Sequence, residues 1–193
     1  MNQIRATRIV VGVGGGIAAY KSATLVSRLA QAGADVHVAM TTSGERFVGR
    51  ATFAALSGNP VAFGSFDHVA GTTGGEPWTL GPHIEIARDA SLMIVAPATA
   101  NLIGNFAHGL APDLVSTLYL QVNCPVLVAP AMSNHMWSKA AVQRNVAQVQ
   151  EDGVEIIGPE EGWLSCREKG AGRMSDPESI ADRAIELLSI FDV

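Results

Sequence analysis

Two residues of this sequence carry reactive side chains in settings that favour chemistry. Cys166 stands in the polar, glycine-containing segment PEEGWLSCREKGAGRM (159–174), and His83 follows a Gly-Pro pair. A thiol can act as a nucleophile or donate a proton, and an imidazole can move a proton near neutral pH. A solvated surface-loop role for Cys166 and a structural role for His83 remain alternatives from these stretches alone.

A third candidate is the glycine-rich turn GVGGGIAAYKS (12–22), which follows an apolar run. Its glycines allow close backbone approach, and the helix predicted after it offers free N–H groups to a phosphate. Ile17 stands where the dinucleotide fingerprint needs its third glycine, so a tight turn without a ligand remains an alternative. The next apolar run ends in Thr41, Thr42 and Ser43, where a dinucleotide-binding domain normally carries a carboxylate. Hydroxyls suit a phosphate, and a mononucleotide such as FMN is therefore favoured over NAD.

Two further apolar runs end in polar residues, in APATAN (96–101) and APAMSNHMW (129–137). If both runs are strands, their ends place four polar side chains at a pocket mouth: Thr99, Asn101, Ser133 and Asn134. Asn101 is equally compatible with a plain helix N-cap, and Pro97 and Pro130 with ordinary strand termination. The neighbouring Met132, Met136 and Trp137 are core residues or the wall of a site for a flat ring.

Composition limits the class of protein. The chain has 193 residues, 48% of them hydrophobic, with a net charge of −5 and no run of Lys or Arg, which excludes nucleic acid and anionic membrane as expected partners. Its two cysteines form neither a disulfide framework nor a metal-ligand set, so we expect a reducing compartment and no bound metal. There is no signal-peptide pattern and no apolar run long enough to span a membrane, and we expect a cytoplasmic protein whose apolar surface is partly buried between subunits.

The rhythm of the elements predicts the fold. Apolar strands alternate with amphipathic helices, which is typical of βαβ units and a mostly parallel sheet. Strands are predicted at 8–13, 35–40, 59–63, 92–98, 125–131 and 154–159, and helices at 17–32, 44–56, 83–89, 101–107, 113–121, 138–152 and 177–191. A Gly/Thr/Pro-rich loop at 66–82 is long enough to indicate a functional role. We predict one domain over 1–193, a doubly wound α/β fold of the Rossmann or flavodoxin type with helices on both faces and ligands at the carboxyl ends of the strands.

Five motifs in this order carry a more specific signal: GGGIAAYKS, HIEIARDASLMIVAPATAN, GLAPDLVST, PVLVAPAMSNHMW and GWLSCREKGAGRM. Together they resemble the flavin-containing cysteine decarboxylases, most closely those that act on 4′-phosphopantothenoylcysteine in coenzyme A biosynthesis. The resemblance covers about residues 8–176. It implies FMN bound at a subunit interface of a homotrimer, with further assembly of trimers into a dodecamer left open, and a small-molecule substrate.

The resemblance also implies roles for individual residues. The cofactor contacts it implies are Gly15, Gly16, Ile17, Thr41, Ser43, Phe47, Thr99, Ala100, Asn101, Ala131 and Met132. The substrate contacts it implies are Arg88, Ser133, Asn134 and Met136, although Arg88 is also compatible with a surface charge. The catalytic residues it implies are His83, which promotes thiol oxidation, and Cys166.

The implied reaction oxidises the cysteine end of the substrate to a thioaldehyde, releases CO₂ and then returns the hydride from the flavin. In this family, a cysteine on a mobile C-terminal flap supplies the final proton. Cys166 occupies the matching position on a flap at about 159–176, with Gly170 and Gly172 as candidate hinges. Relatives that decarboxylate peptide C-terminal cysteines stop at the enethiol and typically lack this cysteine.

Three departures from the family pattern keep alternatives open. Ser133 replaces the usual Asn of the substrate clamp, Pro112 replaces a usual acidic residue, and Ser-Cys-Arg (165–167) replaces the commoner Ala-Cys-Gly. The alternatives are a peptidyl-cysteine decarboxylase that yields a C-terminal enethiol and a flavin-binding regulatory subunit without catalysis. A prenyl-FMN-making transferase is a more distant one.

Overall fold

A computed structural model describes residues 4, 6–64 and 81–191 of the chain. The predicted loop at 66–82 therefore lies outside the described residues, except for Gly81 and Pro82. Five parallel strands form the central sheet in the order β2-β1-β3-β4-β5. Their bounds are β1 Arg8–Val13, β2 Asp35–Met40, β3 Leu92–Ala98, β4 Val126–Pro130 and β5 Glu155–Ile156. This strand order confirms the doubly wound, flavodoxin-like fold predicted from the sequence.

Nine helices are present in the described ranges. They are α1 Ala19–Gln31, α2 Thr42–Glu45, α3 Arg50–Ser57, α4 Pro82–Ala87, α5 Ala100–Ala107, α6 Leu114–Gln121, α7 Asn134–Trp137, α8 Ala140–Glu151 and α9 Pro177–Phe191.

Two apolar layers hold these helices on the sheet. Alternate residues of β1 point to opposite faces, so Ile9 and Val11 pack with α1, α3 and α9, while Val10 packs with α4, α5, α6 and α8. Strands covered on both faces read as continuous apolar runs, which is why β3 is buried at every residue. Leu25 of α1 is fully buried, and burial of such a side chain contributes about 1.5–3 kcal/mol.

Three predictions of local structure need correction. The single helix predicted at 44–56 is two helices, α2 and α3, because the chain is extended at Gly49, a residue of low helix propensity. The strand predicted at 59–63 is one isolated bridge between Ala39 and Ala62. The helix predicted at 138–152 is confirmed as α8, and the separate short helix α7 precedes it. Pro97 does not end β3, which continues to Ala98 across a register shift in its pairing with β4.

The segment predicted as a flap is an antiparallel hairpin with its own two-stranded sheet. Its strands are β6 Glu160–Trp163 and β7 Lys169–Arg173. Gly170 and Gly172, predicted as hinges, lie inside β7 rather than at the ends of the hairpin.

Candidate functional site

A cavity of about 700 Å³ opens at the carboxyl ends of β1, β2, β3 and β4. This volume lies in the range of small-molecule sites, and the position beside β1 is the switch point of a doubly wound sheet. Most of the predicted site residues line it: Gly15, Gly16, Ile17, Thr41, Ser43, Thr99, Ala100, Asn101, Ala131, Met132, Ser133 and Met136. The structure therefore brings together four segments that are far apart in the sequence.

The turn after β1 forms one wall of the cavity. Gly15 lies so close to Ser43 that a Cβ at residue 15 would collide with the Ser43 Cβ. Only glycine fits this approach, which brings the turn beside the hydroxyls that follow β2. The turn leads directly into α1, so the positive end of the helix dipole lies at the cavity, while Gly14 N and Gly16 N donate to Pro97 O and Gly14 O, respectively.

Two threonines of the cavity wall also cap helices. The Thr41 hydroxyl accepts a hydrogen bond from Gly44 N at 3.0 Å and begins α2. The Thr99 hydroxyl accepts one from Leu102 N at 3.3 Å and begins α5. The N-cap of α5 is therefore Thr99 and not Asn101, whose exposed side chain lies at the cavity instead. Such caps contribute about 0.5–2 kcal/mol each and set the entry angle of the chain.

The segment after β4 forms the opposite wall. Ser133 lines the cavity, and its hydroxyl accepts a hydrogen bond from Met136 N at 3.3 Å as the N-cap of α7. Asn134 does not line the cavity, because its side chain accepts a hydrogen bond from His135 N and faces the hairpin at Gly170. Of the two residues predicted to replace the usual clamp asparagine, only Ser133 is placed at the cavity.

The hairpin β6–β7 packs against the segment that follows β4. Met132 N donates to Gly172 O at 3.0 Å, and a Cβ at residue 172 would collide with the Met132 carbonyl oxygen. A Cβ at residue 170 would come within 2.8 Å of the Asn134 Cβ. The two glycines therefore let β7 approach the wall of the cavity at van der Waals distance.

Cys166 lies at the tip of the hairpin and is exposed. Arg167 N donates to Leu164 O at 2.9 Å, which closes a four-residue turn with Cys166 at its third position. Arg167 follows with a φ of 63°, a left-handed conformation that glycine adopts with less strain. Cys166 does not line the cavity, but its neighbours Leu164 and Ser165 do.

A charged cluster joins the hairpin to α1 beside the cavity. Lys21 Nζ donates to Asp176 Oδ1 at 2.7 Å and to Met174 O at 3.1 Å, and Arg173 Nη2 donates to the same carboxylate oxygen at 2.9 Å. Hydrogen bonds from Lys21 and then from Arg173 hold the pKa of Asp176 below its ordinary value. Two cations therefore stand at the cavity wall, and an ionised Asp176 balances part of their charge.

His83 and Arg88 do not line the cavity of their own chain. Both lie on or just after α4, which packs against α6. The His83 ring is folded over Gly81, where a Cβ would come within 2.7 Å of its Cε1. Its buried Nδ1 has no hydrogen-bond partner among the described residues. Phe47 also lies outside the cavity and is 49% exposed.

Several residues of the cavity wall were not predicted from the sequence. They include Tyr20, Lys21, Asp113, Trp163 and Arg173. Lys21 and Arg173 both stand inside the quoted motifs, and Lys21 is the single cation of its motif, which was the available signal. Asp113 caps α6 by accepting from Ser116 N at 2.9 Å, which holds its carboxylate at the wall.

The described residues hold no group of three or more His, Cys, Asp or Glu side chains placed to bind a metal ion. In the same ranges, no helix combines the length and apolar character needed to cross a membrane.

Comparison with curated proteins finds relatives that share almost all of this chain. The coenzyme A biosynthesis bifunctional protein CoaBC of Mycolicibacterium smegmatis is 44% identical over 185 residues, covering 96% of this chain and 42% of the relative. The protein of the same name from Escherichia coli K12 is 45% identical over 178 residues, covering 92% of this chain and 42% of the relative. The chain thus spans about two fifths of the length of these relatives.

Comparison with solved structures gives the same fold. A cysteine-to-serine mutant of PPC decarboxylase complexed with pantothenoylaminoethenethiol superposes with a TM-score of 0.80 at 27% identity, covering 93% of this chain and 97% of that chain. The FMN-dependent cysteine decarboxylase SpaF gives a TM-score of 0.77 at 28% identity, covering 97% of this chain and 98% of that chain. The family model described as Flavoprotein matches residues 1–189. The resemblance seen in the sequence motifs is thereby confirmed, and the chain belongs to the Flavoprotein family.

Proposed function

We propose that this chain is an FMN-dependent decarboxylase that converts 4′-phosphopantothenoylcysteine into 4′-phosphopantetheine. The observation that carries the proposal is the seating of a hairpin with a cysteine at its tip against the wall of a cavity at the carboxyl ends of the strands. The relatives are named for coenzyme A biosynthesis, and one structural neighbour is a PPC decarboxylase.

The residues of the cavity fit FMN. The Ser43 hydroxyl and the glycine turn before α1 suit a phosphate group, which prefers hydroxyl and backbone N–H donors, whereas the Thr41 hydroxyl donates to Val13 O at 3.4 Å within the chain. Thr99, Asn101 and Met132 stand on the walls around the remaining volume and would hold the ring system. When bound, FMN supplies a hydride acceptor that can also return the hydride.

The protein's own residues supply the proton movements. We assign His83 to the removal of the substrate thiol proton and Arg88 to the charge of the substrate carboxylate. Ser133 and Met136 line the cavity, and we assign them to contact with the substrate. We assign to Cys166 the donation of the proton that completes the saturated thiol, because it lies at the exposed tip of the hairpin and its neighbours Leu164 and Ser165 line the cavity.

His83 can take this role in a homotrimer, where it reaches the cavity of another subunit. His83 does not reach the cavity of its own chain, so it must act on the cavity of a neighbouring subunit. Exposed apolar side chains at the cavity mouth, Ile17 at 57% and Tyr20 at 60%, would be covered by the same contact. Light scattering on the purified protein would measure the assembly, and a monomer that turns over would contradict it.

Product analysis by mass spectrometry tests the reaction. Purified protein with 4′-phosphopantothenoylcysteine should yield a product that has lost CO₂ alone. We expect Cys166→Ser to accumulate a product that lacks two further hydrogens, the enethiol, and His83→Asn to form neither product. Cys124→Ser and His108→Asn are matched controls and should behave as the wild type, because Cys124 precedes the amino end of β4 and His108 follows the C-terminal end of α5, both away from the carboxyl ends of the strands.

The second candidate function is decarboxylation of a peptide C-terminal cysteine. Ser133 at the usual asparagine position and the FMN-dependent cysteine decarboxylase SpaF among the structural neighbours favour it. A cysteine-ended peptide added to the same assay separates the two functions. Turnover of the peptide and none of 4′-phosphopantothenoylcysteine would contradict our first proposal.

A further inference from the structure

Arg8 begins β1 at the end of the sheet away from the cavity and reaches the helix that carries His83. Its Nη1 donates to Arg88 O at 2.8 Å and to Glu85 O at 3.3 Å. Its Nε donates to Asp35 Oδ2 at 3.2 Å. A single guanidinium therefore joins β1, β2 and the C-terminal end of α4.

The contact provides hydrogen-bond donors to the C-terminal end of α4. This helix has six residues, and the last carbonyl groups of any α-helix lack partners within the helix. A cationic donor at that end satisfies these oxygens and interacts favourably with the helix dipole. The carbonyls of Glu85 and Arg88 are bonded by Arg8 in this way.

Asp35 holds the guanidinium in place. Besides Arg8, its carboxylate accepts from Asn59 Nδ2 at 2.9 Å and bonds with His37 Nε2 at 3.0 Å. Burial raises the pKa of Asp35, but the hydrogen bonds from His37, Asn59 and Arg8 together leave it below its ordinary value. The carboxylate therefore stays ionised and orients the fork of Arg8 toward α4.

We infer that Arg8, held by Asp35, is a positioning residue that sets the orientation of α4 and, through it, of His83 and Arg88. The inference rests on the proposed function, because it assigns these two residues to the reaction. It adds that the geometry of the oxidation step is set at the opposite end of the sheet from the cavity.

Hydrogen exchange tests whether Arg8 holds α4 in place. In Arg8→Gln, amides of 82–91 should exchange about 10- to 100-fold faster than in the wild type, the factor expected for losing hydrogen bonds to a charged donor. Arg8→Lys, which keeps one charged donor, should recover part of the protection. Arg183→Gln is the matched control, because Arg183 binds the strand carboxylate of Glu155 at 2.9 Å with similar exposure but lies on α9.

Kinetics of the separate half-reactions test whether Arg8 affects the oxidation step. Arg8→Gln should slow the oxidation step at least tenfold while FMN affinity stays unchanged and the product stays fully saturated, because neither the FMN contacts nor Cys166 depend on α4. Unchanged exchange at 82–91, enethiol accumulation, or an equal effect from Arg183→Gln would overturn the inference. If the wild type fails to decarboxylate, the proposed function falls, whereas the exchange result still decides whether Arg8 holds α4.

Discussion

Replacing Gly172 by alanine tests whether the contact of the hairpin β6–β7 with the cavity wall controls the action of Cys166. Gly172 has a φ of 145°, and a Cβ there would collide with the Met132 carbonyl oxygen. The Gly172 carbonyl also accepts the hydrogen bond from Met132 N at 3.0 Å. An alanine side chain therefore removes the contact that holds β7 against the cavity wall.

The expected size of the effect follows from two contributions. A non-glycine residue in this region of backbone conformation costs about 1–3 kcal/mol. Loss of the hydrogen bond adds about 1 kcal/mol. The sum of about 2–4 kcal/mol shifts the equilibrium between seated and released hairpin by about 30- to 700-fold. Because the hairpin is a separate two-stranded sheet, its release should leave the five-stranded sheet folded.

Hydrogen exchange of peptides from 158–174 measures the release directly. We expect Gly172→Ala to lose protection there and to keep it in β1 and α1, and to form more enethiol because Cys166 is no longer held at the cavity. Gly58→Ala is the control, since Gly58 has a φ of 75° but no atom within 4 Å of its would-be Cβ. Equal protection of 158–174 in Gly172→Ala and the wild type would refute the reasoning, as would an equal loss in Gly58→Ala.

Three further predictions concern other parts of the molecule. A thiol reagent at pH 8 should label Cys166 quickly and Cys124 slowly, because Cys166 is exposed whereas burial raises the pKa of Cys124 to about 11; loss of the fast phase from Cys124→Ser instead of Cys166→Ser would contradict this. The pKa of Asp35 is lowered in the folded protein, so its stabilisation is present above the unfolded pKa and is lost as pH falls through the folded value. Denaturant titrations should therefore show a weaker loss of stability on acidification in Asp35→Asn than in the wild type, and equal slopes would count against the assignment. Arg167→Gly should tighten the hairpin turn by about 0–1 kcal/mol, because glycine adopts a φ of 63° without the strain that arginine carries; faster exchange at 158–174 would contradict it.

Much of the fold could be predicted because its signals are local. The strands β1, β2 and β3 match the predicted ranges, since strands buried on both faces must be apolar at every position. The helix α9 matches its predicted range because its apolar period and the proline at its start are visible in the sequence. The single helix predicted at 44–56 was wrong. Two glycines weaken the helix signal in this segment, and only packing decides where the helix is interrupted.

The parts of the candidate site that follow the ends of strands could be predicted from the sequence. The parts that depend on contacts between separate elements could not. Parallel strands end at one edge, so the residues after β1, β2, β3 and β4 had to meet, and they do. The antiparallel pairing of β6 with β7 was not visible, because Glu160–Trp163 and Lys169–Arg173 lack the alternating apolar pattern of a half-buried strand. The capping role of Thr99 was hidden as well, since Asn101 is an equally good N-cap by residue type.

By itself, the sequence determined the fold class, the family and the edge of the sheet that holds the site. Each of these depends on patterns within one segment or on the order of motifs along the chain. The tertiary structure alone decided that the hairpin with Cys166 packs on Met132, that α4 packs against α6, and that Arg8 donates to the carbonyl groups of Glu85 and Arg88. These facts depend on contacts between residues far apart in the sequence, where packing and hydrogen bonds choose among arrangements that local pattern leaves equal.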